Sequence, residues 1–391
     1  MRPNFENTAI AFELKSDSQL ERAYFLFKMI SKEPLVRIGT AVTNFAIKVH
    51  LPVEGLIRAT VFDHFCGGVN EKDCLPIIDN MYGNGVYSIL DYSAEGKEVD
   101  NQFDFAMEKT LDILDFVKEK DAMPFAVFKP TGFGRFKLFE KVTAGSELDE
   151  NEQAEWNRIV ARFDKVCQKA YDLDVALLID AEESWMQDAA DDLILDLMRK
   201  YNKQKAVVFN TFQMYRWDRL DYVKKLCIIA EAEGFKIGAK AVRGAYMEKE
   251  NDRANENGYE SPICKSKRDT DENFDAAIHF IIDHLEHFTI FAGTHNEKST
   301  LKLVDLMEKM CIPANHEKIW FGQLFGMSDH ITYNLAAQGY NAVKYVPFGP
   351  VRDVMPYLIR RAEENTSVAG QTSRELALIK KERKRRKLEE A

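Results

Sequence analysis

The stretch "MPYLIRRAEENTS" (355–367) puts Tyr357, Arg360, Arg361 and Glu364 at i, i+3, i+4 and i+7, a single face if the segment is helical. A helix packed on a core carries aliphatic residues in that stripe. Here the stripe holds one aromatic ring, two adjacent guanidiniums and a carboxylate. Two readings are open. One is a solvated charged face; the other is a clamp for an anion, because paired guanidinium forks grip a carboxylate or phosphate bidentately.

A second set of polar residues recurs at the ends of short apolar runs. These runs are "TVFDHFCGG" (60–68), "GVYSILDYS" (85–93), "PFAVFKPTG" (124–132), "DVALLIDAEES" (174–184), "AVVFNTFQ" (206–213), "KIGAKAVRGAY" (236–246), "FTIFAGTHN" (288–296) and "KIWFGQLFGM" (318–327). Segments with 3.6-residue apolar spacing lie between them. Buried β-rich runs alternating with amphipathic helices indicate an α/β fold of parallel strands and crossover helices, and eight units argue for a closed (βα)8 barrel of the TIM type over an open sheet, a doubly wound fold being the alternative that the pattern leaves open. A ninth run, "AVKYVPFG" (342–349), departs from a plain eightfold count. In such a barrel the strand ends carry the chemistry. They supply Asp91, Lys129, Asp180, Glu182, Glu183, Asn210, Gln213, Lys240, Arg243, Thr294, His295, Asn296 and Gln323.

The domain reading is an N-terminal helical segment over 1–55, the barrel over 56–370 and a basic tail over 371–391, disordered or a frayed helix end. The chain has 391 residues, 46% of them hydrophobic, enough for a large core. A net charge of −10 argues against a general nucleic-acid binder. Six scattered cysteines without a CxxC pair suit a reducing compartment and give no metal framework. No HxxxH, GxSxG or GxxxxGK[ST] pattern occurs, and "GFGRFK" lacks the third glycine of a dinucleotide fingerprint. No metal site is expected. No apolar run reaches the roughly 18 residues of a spanning helix, and the N-terminus reads as neither signal nor transit peptide. The expected address is cytoplasmic, with peripheral contact at the inner membrane as an open alternative.

In order along the chain, "LLIDAEES", "AKAVRGAY", "THN", "FGQLFGM", "KYVPFGP" and "PYLIRRAEENTS" resemble the proline dehydrogenase family, closer to its mitochondrial-type members than to the bifunctional bacterial ones. The resemblance implies a distorted barrel with non-covalent FAD, oxidation of L-proline to Δ1-pyrroline-5-carboxylate by hydride transfer to flavin N5, and a membrane quinone as acceptor. It also implies roles. Arg360 and Arg361 hold the proline carboxylate, Tyr357, Tyr345, Tyr246 and Leu324 line the substrate, and Arg58 is a third carboxylate contact where the family more often has Lys. Asp91 and Lys240 are the catalytic pair, Lys240 donating to flavin N5. Tyr92, Asn210, Arg243, Gly244, Ala245, Lys267, Thr294 and His295 contact the cofactor, and Glu364 braces the Arg pair. Hydroxyproline dehydrogenation on the same scaffold is the nearest rival, and bulky Tyr345 argues against it. A metal-dependent lyase using Asp91, Asp180, Glu182 and His295 is the remote one.

Overall fold

Eight parallel strands close into a barrel in sequence order in the computed structural model, which describes residues 2–31, 54–92, 99–367 and 371–388. They are Val86–Tyr92 (β1), Phe125–Phe128 (β2), Ala176–Ile179 (β3), Val208–Gln213 (β4), Ile237–Val242 (β5), Phe288–Gly293 (β6), Ile319–Leu324 (β7) and Ala342–Phe348 (β8). The chain divides into two compact units: Met1–Glu95 with Gln323–Ala391, and Gly96–Gly322.

The (βα)8 expectation is met, but with a different first strand. The run 60–68 is helical: a π-helical turn over Arg58–Phe62 leads into the short helix Asp63–Phe65. Its large apolar side chains, Phe62 and Phe65, stand three apart and are both buried, a helical spacing that outweighs the β-prone composition. The segment closes against β8 through Gly67 N–H to the Pro347 carbonyl at 2.9 Å. A Cβ at Gly67 would lie 2.5 Å from the Val346 side chain, so only glycine permits that approach. The ninth run is β8, and every strand between counts one lower than the sequence reading had it.

In the second unit, strands β2 to β6 are short and buried on both faces, as strands covered by helices must be. Phe125 meets Phe209, Phe291 and Trp320 edge to face, with centroids 5.0–5.8 Å apart, and these rings fill one end of the sheet interior. In the first unit, β1 pairs with β8 in a register that sets Ile89 against Tyr345 and Asp91 against Pro347. Side chains alternate between faces, so Asp91 and Tyr345 share one face and Lys344 takes the other. Lys344 is fully buried and meets Asp329 at 2.8 Å; Asp329 also meets Lys15 at 3.0 Å.

The basic tail is not disordered. Gln371–Arg385 is a helix whose Leu378 and Ile379 are buried with Phe12, Leu20, Ala23 and Phe27 of the N-terminal helices. The charge run hid a short apolar stripe, "ELALI", and buried Glu382 takes Arg385 and Arg386 at 2.7 Å. Of the 1–55 segment, helices Thr8–Ala11 and Asp17–Ile30 are described. The second starts at a capping box in which the Ser16 hydroxyl and the Gln19 side chain each accept the other's backbone N–H. No helix among the described residues is long and apolar enough to cross a membrane.

Removing Asp329 leaves Lys344 buried without its counter-ion. Asp329→Ala should cost about 3 kcal/mol, as for other broken buried pairs, whereas Lys15→Ala, at the more exposed partner, should cost below about 1 kcal/mol. Urea unfolding midpoints of the two variants test that ordering.

Candidate active site

In the second unit one half-buried carboxylate meets a half-buried and a buried lysine. Asp180 directly follows β3, and its N–H donates to the Phe128 carbonyl at 3.0 Å, which fixes it beside β2. Lys129, the residue after β2, donates to Asp180 at 3.1 Å, and Lys240, in β5, at 2.5 Å. Burial alone would raise the Asp180 carboxyl; the two ammonium groups outweigh it and bring it down to about 2.

The segment after Asp180 is stitched to its neighbours. Thr211 Oγ1 donates to the Ile179 carbonyl at 2.7 Å and Gln213 Nε2 to the Glu182 carbonyl at 2.6 Å, tying the ends of β3 and β4 together. Burial pushes Glu182 up to about 7, despite hydrogen bonds from the Thr131 hydroxyl at 2.7 Å and N–H at 2.9 Å.

Arg243 follows β5 and is held on every side. Nε donates to Asp271 at 2.7 Å, one terminal nitrogen to Thr294 Oγ1 at 2.7 Å and the other to Ser299 Oγ at 2.8 Å. The guanidinium also lies 4.4 Å from the Phe274 ring centroid. Lys267, largely exposed, adds a 2.6 Å contact to Asp271. Asp271 is lowered because these two cations overcome the rise that burial would cause. Gly244 and Ala245 follow, both exposed. Gly244 has φ +130°, and a Cβ there would stand 2.5 Å from the Tyr215 ring. The backbone is therefore presented bare between Arg243 and half-buried Tyr246. Thr294 is buried and His295 half-buried after β6.

The first unit carries the remaining expected residues. Tyr357 is buried with Phe62, Phe65, Val354 and Leu358, and Leu324 packs on the same cluster. The Arg361 guanidinium lies 5.4 Å from the Tyr357 ring centroid, and Arg360 and Arg361 are both half-buried. The stripe on the Val351–Ser367 helix is therefore not a freely solvated face. Tyr345 and Asp91 are buried, and Tyr92 packs on Phe348 at 5.5 Å. The Glu364 side chain lies outside the described residues.

Three expectations change. Arg58 sits on the π-helical turn, half exposed and 3.7 Å from an equally exposed Asp63, so the strand that was to aim it at a substrate does not exist. Asn210 does not present its amide to an open face: Nδ2 donates to buried Asp191 at 2.9 Å and Oδ1 accepts from the Thr211 N–H at 2.8 Å. The carboxylate that Lys240 meets is Asp180, which the resemblance left without a role. Lys129 stands with it: both were read as strand-end residues, and the resemblance gave neither a role.

These residues fit a polar, anionic, planar group. Buried Lys240 and half-buried Lys129 supply positive charge, Arg243 and Thr294 fixed donors, and Gly244–Ala245 an approach free of large side chains of their own.

Comparison with known proteins agrees. The proline dehydrogenase family matches residues 74–374. The carbapenem antibiotics biosynthesis protein CarD of Pectobacterium carotovorum subsp. carotovorum is 35% identical over 85% of this chain and 86% of its own length. Mitochondrial proline dehydrogenase 1 of Dictyostelium discoideum is 29% identical over 97% of this chain and 74% of its own. Proline utilization A of Bdellovibrio bacteriovorus, solved after inactivation by N-propargylglycine, superposes with a TM-score of 0.71 at 18% identity over 92% of this chain, which spans 38% of that longer one. That likeness supports the fold. The chain belongs to the proline dehydrogenase family. It is an oxidoreductase of that type, and the family implies proline as substrate and a flavin as cofactor.

Glu182 gives the site a pH signature. A carboxyl raised by folding favours the native state below its ordinary value of 4.5 and loses that contribution as pH climbs through about 7. Unfolding free energy should therefore fall across that window by up to about 3 kcal/mol from this group. Glu182→Gln should flatten the fall, as denaturation series at several pH values would show.

Proposed function

We propose that the chain binds FAD non-covalently and oxidises L-proline to Δ1-pyrroline-5-carboxylate, passing the electrons to a membrane quinone, with residues 56–370 as the catalytic domain. The observation that carries this reading is the Lys129–Asp180–Lys240 cluster that β2, β3 and β5 bring together, in a chain of this family. When bound, FAD supplies the two-electron acceptor, taking the hydride from proline Cδ.

The chain's residues then divide the remaining work. Lys240 would hold the cofactor with its buried ammonium and would favour the reduced, anionic flavin, since charge shielded from water counts for most. Asp180 orients that ammonium. Arg243, Gly244, Ala245, Thr294, His295 and Lys267 hold the rest of the cofactor, and Tyr92 contacts it. Arg360 and Arg361 grip the proline carboxylate, and the Tyr357 ring limits the freedom of Arg361. Carboxylate binding thereby becomes orientation of the reacting carbon. Tyr345, Leu324 and Tyr246 pack on the pyrrolidine ring, and Asp91 completes the polar wall. The proline amine loses a proton on binding or to solvent, which frees the lone pair that forms the C=N bond as the hydride leaves.

The direct test is anaerobic addition of L-proline to purified protein loaded with FAD. The visible flavin band should bleach; a protein that takes up no flavin, or whose flavin stays oxidised, rejects the proposal. In the same assay with a dye acceptor, Arg360→Ala or Arg361→Ala should raise the proline KM roughly tenfold to a hundredfold, because a charge-assisted bidentate contact is lost. Flavin occupancy should not change.

A further inference from the structure

The helix Met247–Asn257, "MEKENDRANEN", has no apolar stripe with which to pack. A helix seated on a core carries aliphatic residues along one face. This one buries only Glu250 and Ala254. Polar contacts therefore seat it, and the central one is a fully buried carboxylate. Glu250 Oε1 accepts the Ser184 N–H at 2.6 Å, and Oε2 accepts the Ser184 hydroxyl at 2.6 Å. Burial raises the Glu250 carboxyl, against the pull of these two donors. An apolar side chain would fill the same space without the cost of burying a carboxylate.

Ser184 opens the helix Ser184–Tyr201, whose first N–H groups have no partner within the helix. Glu183, the residue before it, makes no side-chain cap. A Ser, Thr, Asp or Asn at that place satisfies such a donor locally. Here the acceptor comes from 66 residues further along the chain. Glu183 is paired instead with Lys249, while Arg253 lies 4.6 Å from the Trp185 ring centroid and pairs with Glu140. Lys249, Glu250 and Arg253 thus hold the residues just beyond Asp180 and Glu182. At its other end the Met247–Asn257 helix starts from Tyr246, whose carbonyl accepts the Glu250 N–H at 2.9 Å. Glu250 therefore ties the chain leaving β5 to the chain leaving β3, with β4 between them. It is a second link between the strands that the Asp180–Lys240 contact joins.

We propose, on the basis of the FAD binding proposed above, that Glu250 is a positioning residue for the cofactor: by anchoring its helix to Ser184 it holds Arg243, Gly244 and Ala245 in place for the flavin nucleotide. Gly244 is where an anchor is needed. Its φ of +130° is open to glycine above all, and a glycine also leaves it most readily. Asp271, Thr294 and Ser299 hold Arg243 on one side of it. Glu250 holds the chain on the other side. Two anchors with a glycine between them fix the bare backbone that the cofactor approaches. A cap serving the Ser184–Tyr201 helix alone could be supplied at position 183 without reaching the β5 segment.

The test is the rate at which the full flavin-loaded chain releases FAD on dilution, read from the rise in flavin fluorescence, beside the urea midpoint of each variant. Glu250→Ala should release FAD about tenfold faster or more. Glu250→Gln keeps an oxygen for the Ser184 N–H and turns its NH2 group to the hydroxyl, so it should stay within about threefold of the unaltered protein. Ser184→Ala keeps a good helix former and loses only the hydroxyl bond, so its release should fall between the two. A lower urea midpoint with unchanged release in Glu250→Ala would reduce Glu250 to a helix cap and overturn the proposal. Should that variant not fold, unchanged release in Ser184→Ala would overturn it equally. So would a Glu250→Gln that releases FAD as fast as Glu250→Ala, since charge and not the hydrogen-bonded tie would then be acting. An unaltered protein that takes up no FAD would reject the proposed function and this role with it; FAD retained equally by all the variants rejects the role alone.

Discussion

A carboxylate set between two ammonium groups, one buried and one half-buried, is the constraint on which the site depends. Asp180 alone would be driven towards its neutral form by burial; with Lys129 and Lys240 at 3.1 and 2.5 Å it is held ionised instead. The arrangement works both ways, because it gives the buried Lys240 side chain a fixed anionic neighbour. Three strands must end at matching heights for the contact to form, and the cross-links from Thr211 and Gln213 to the β3 end keep them there. Arg243 repeats the principle with a different partner set, its guanidinium held by Asp271, Thr294 and Ser299 before any ligand arrives. Donors oriented in advance act without a reorganisation cost when charge develops.

The strand ends were legible in the sequence because buried parallel strands leave a plain mark: four to seven apolar residues, then a polar one. Lys240, Thr294 and Asp91 could be placed at strand ends this way. The first run misled because composition and period disagreed. "TVFDHFCGG" is rich in β-formers, but Phe62 and Phe65 bury at helical spacing. With that run removed from the strand count, Arg58 lost the strand meant to aim it.

Partners across the fold were harder to read. Asp180 and Lys129 are 51 residues apart and Asp180 and Lys240 60 apart, and neither spacing carries a local signal. Asn210 shows the limit of motif reading in another way. Its position in β4 is as expected, but alternation turns its amide towards Asp191 and the network that includes Arg219. The packed C-terminal helix was hidden by its own charge, since the two buried residues that seat it lie just before seven cations.

The most direct measurement of the central claim is the midpoint potential of the bound flavin in Lys240→Met beside the unaltered protein. Methionine keeps an unbranched side chain of similar length and removes the charge, while Lys129 remains to balance Asp180. A cation held against the cofactor by Asp180 favours its reduced, anionic form, so the variant's potential should fall and its reduction by saturating proline should slow. A potential and a reduction rate equal to those of the unaltered protein would contradict the account.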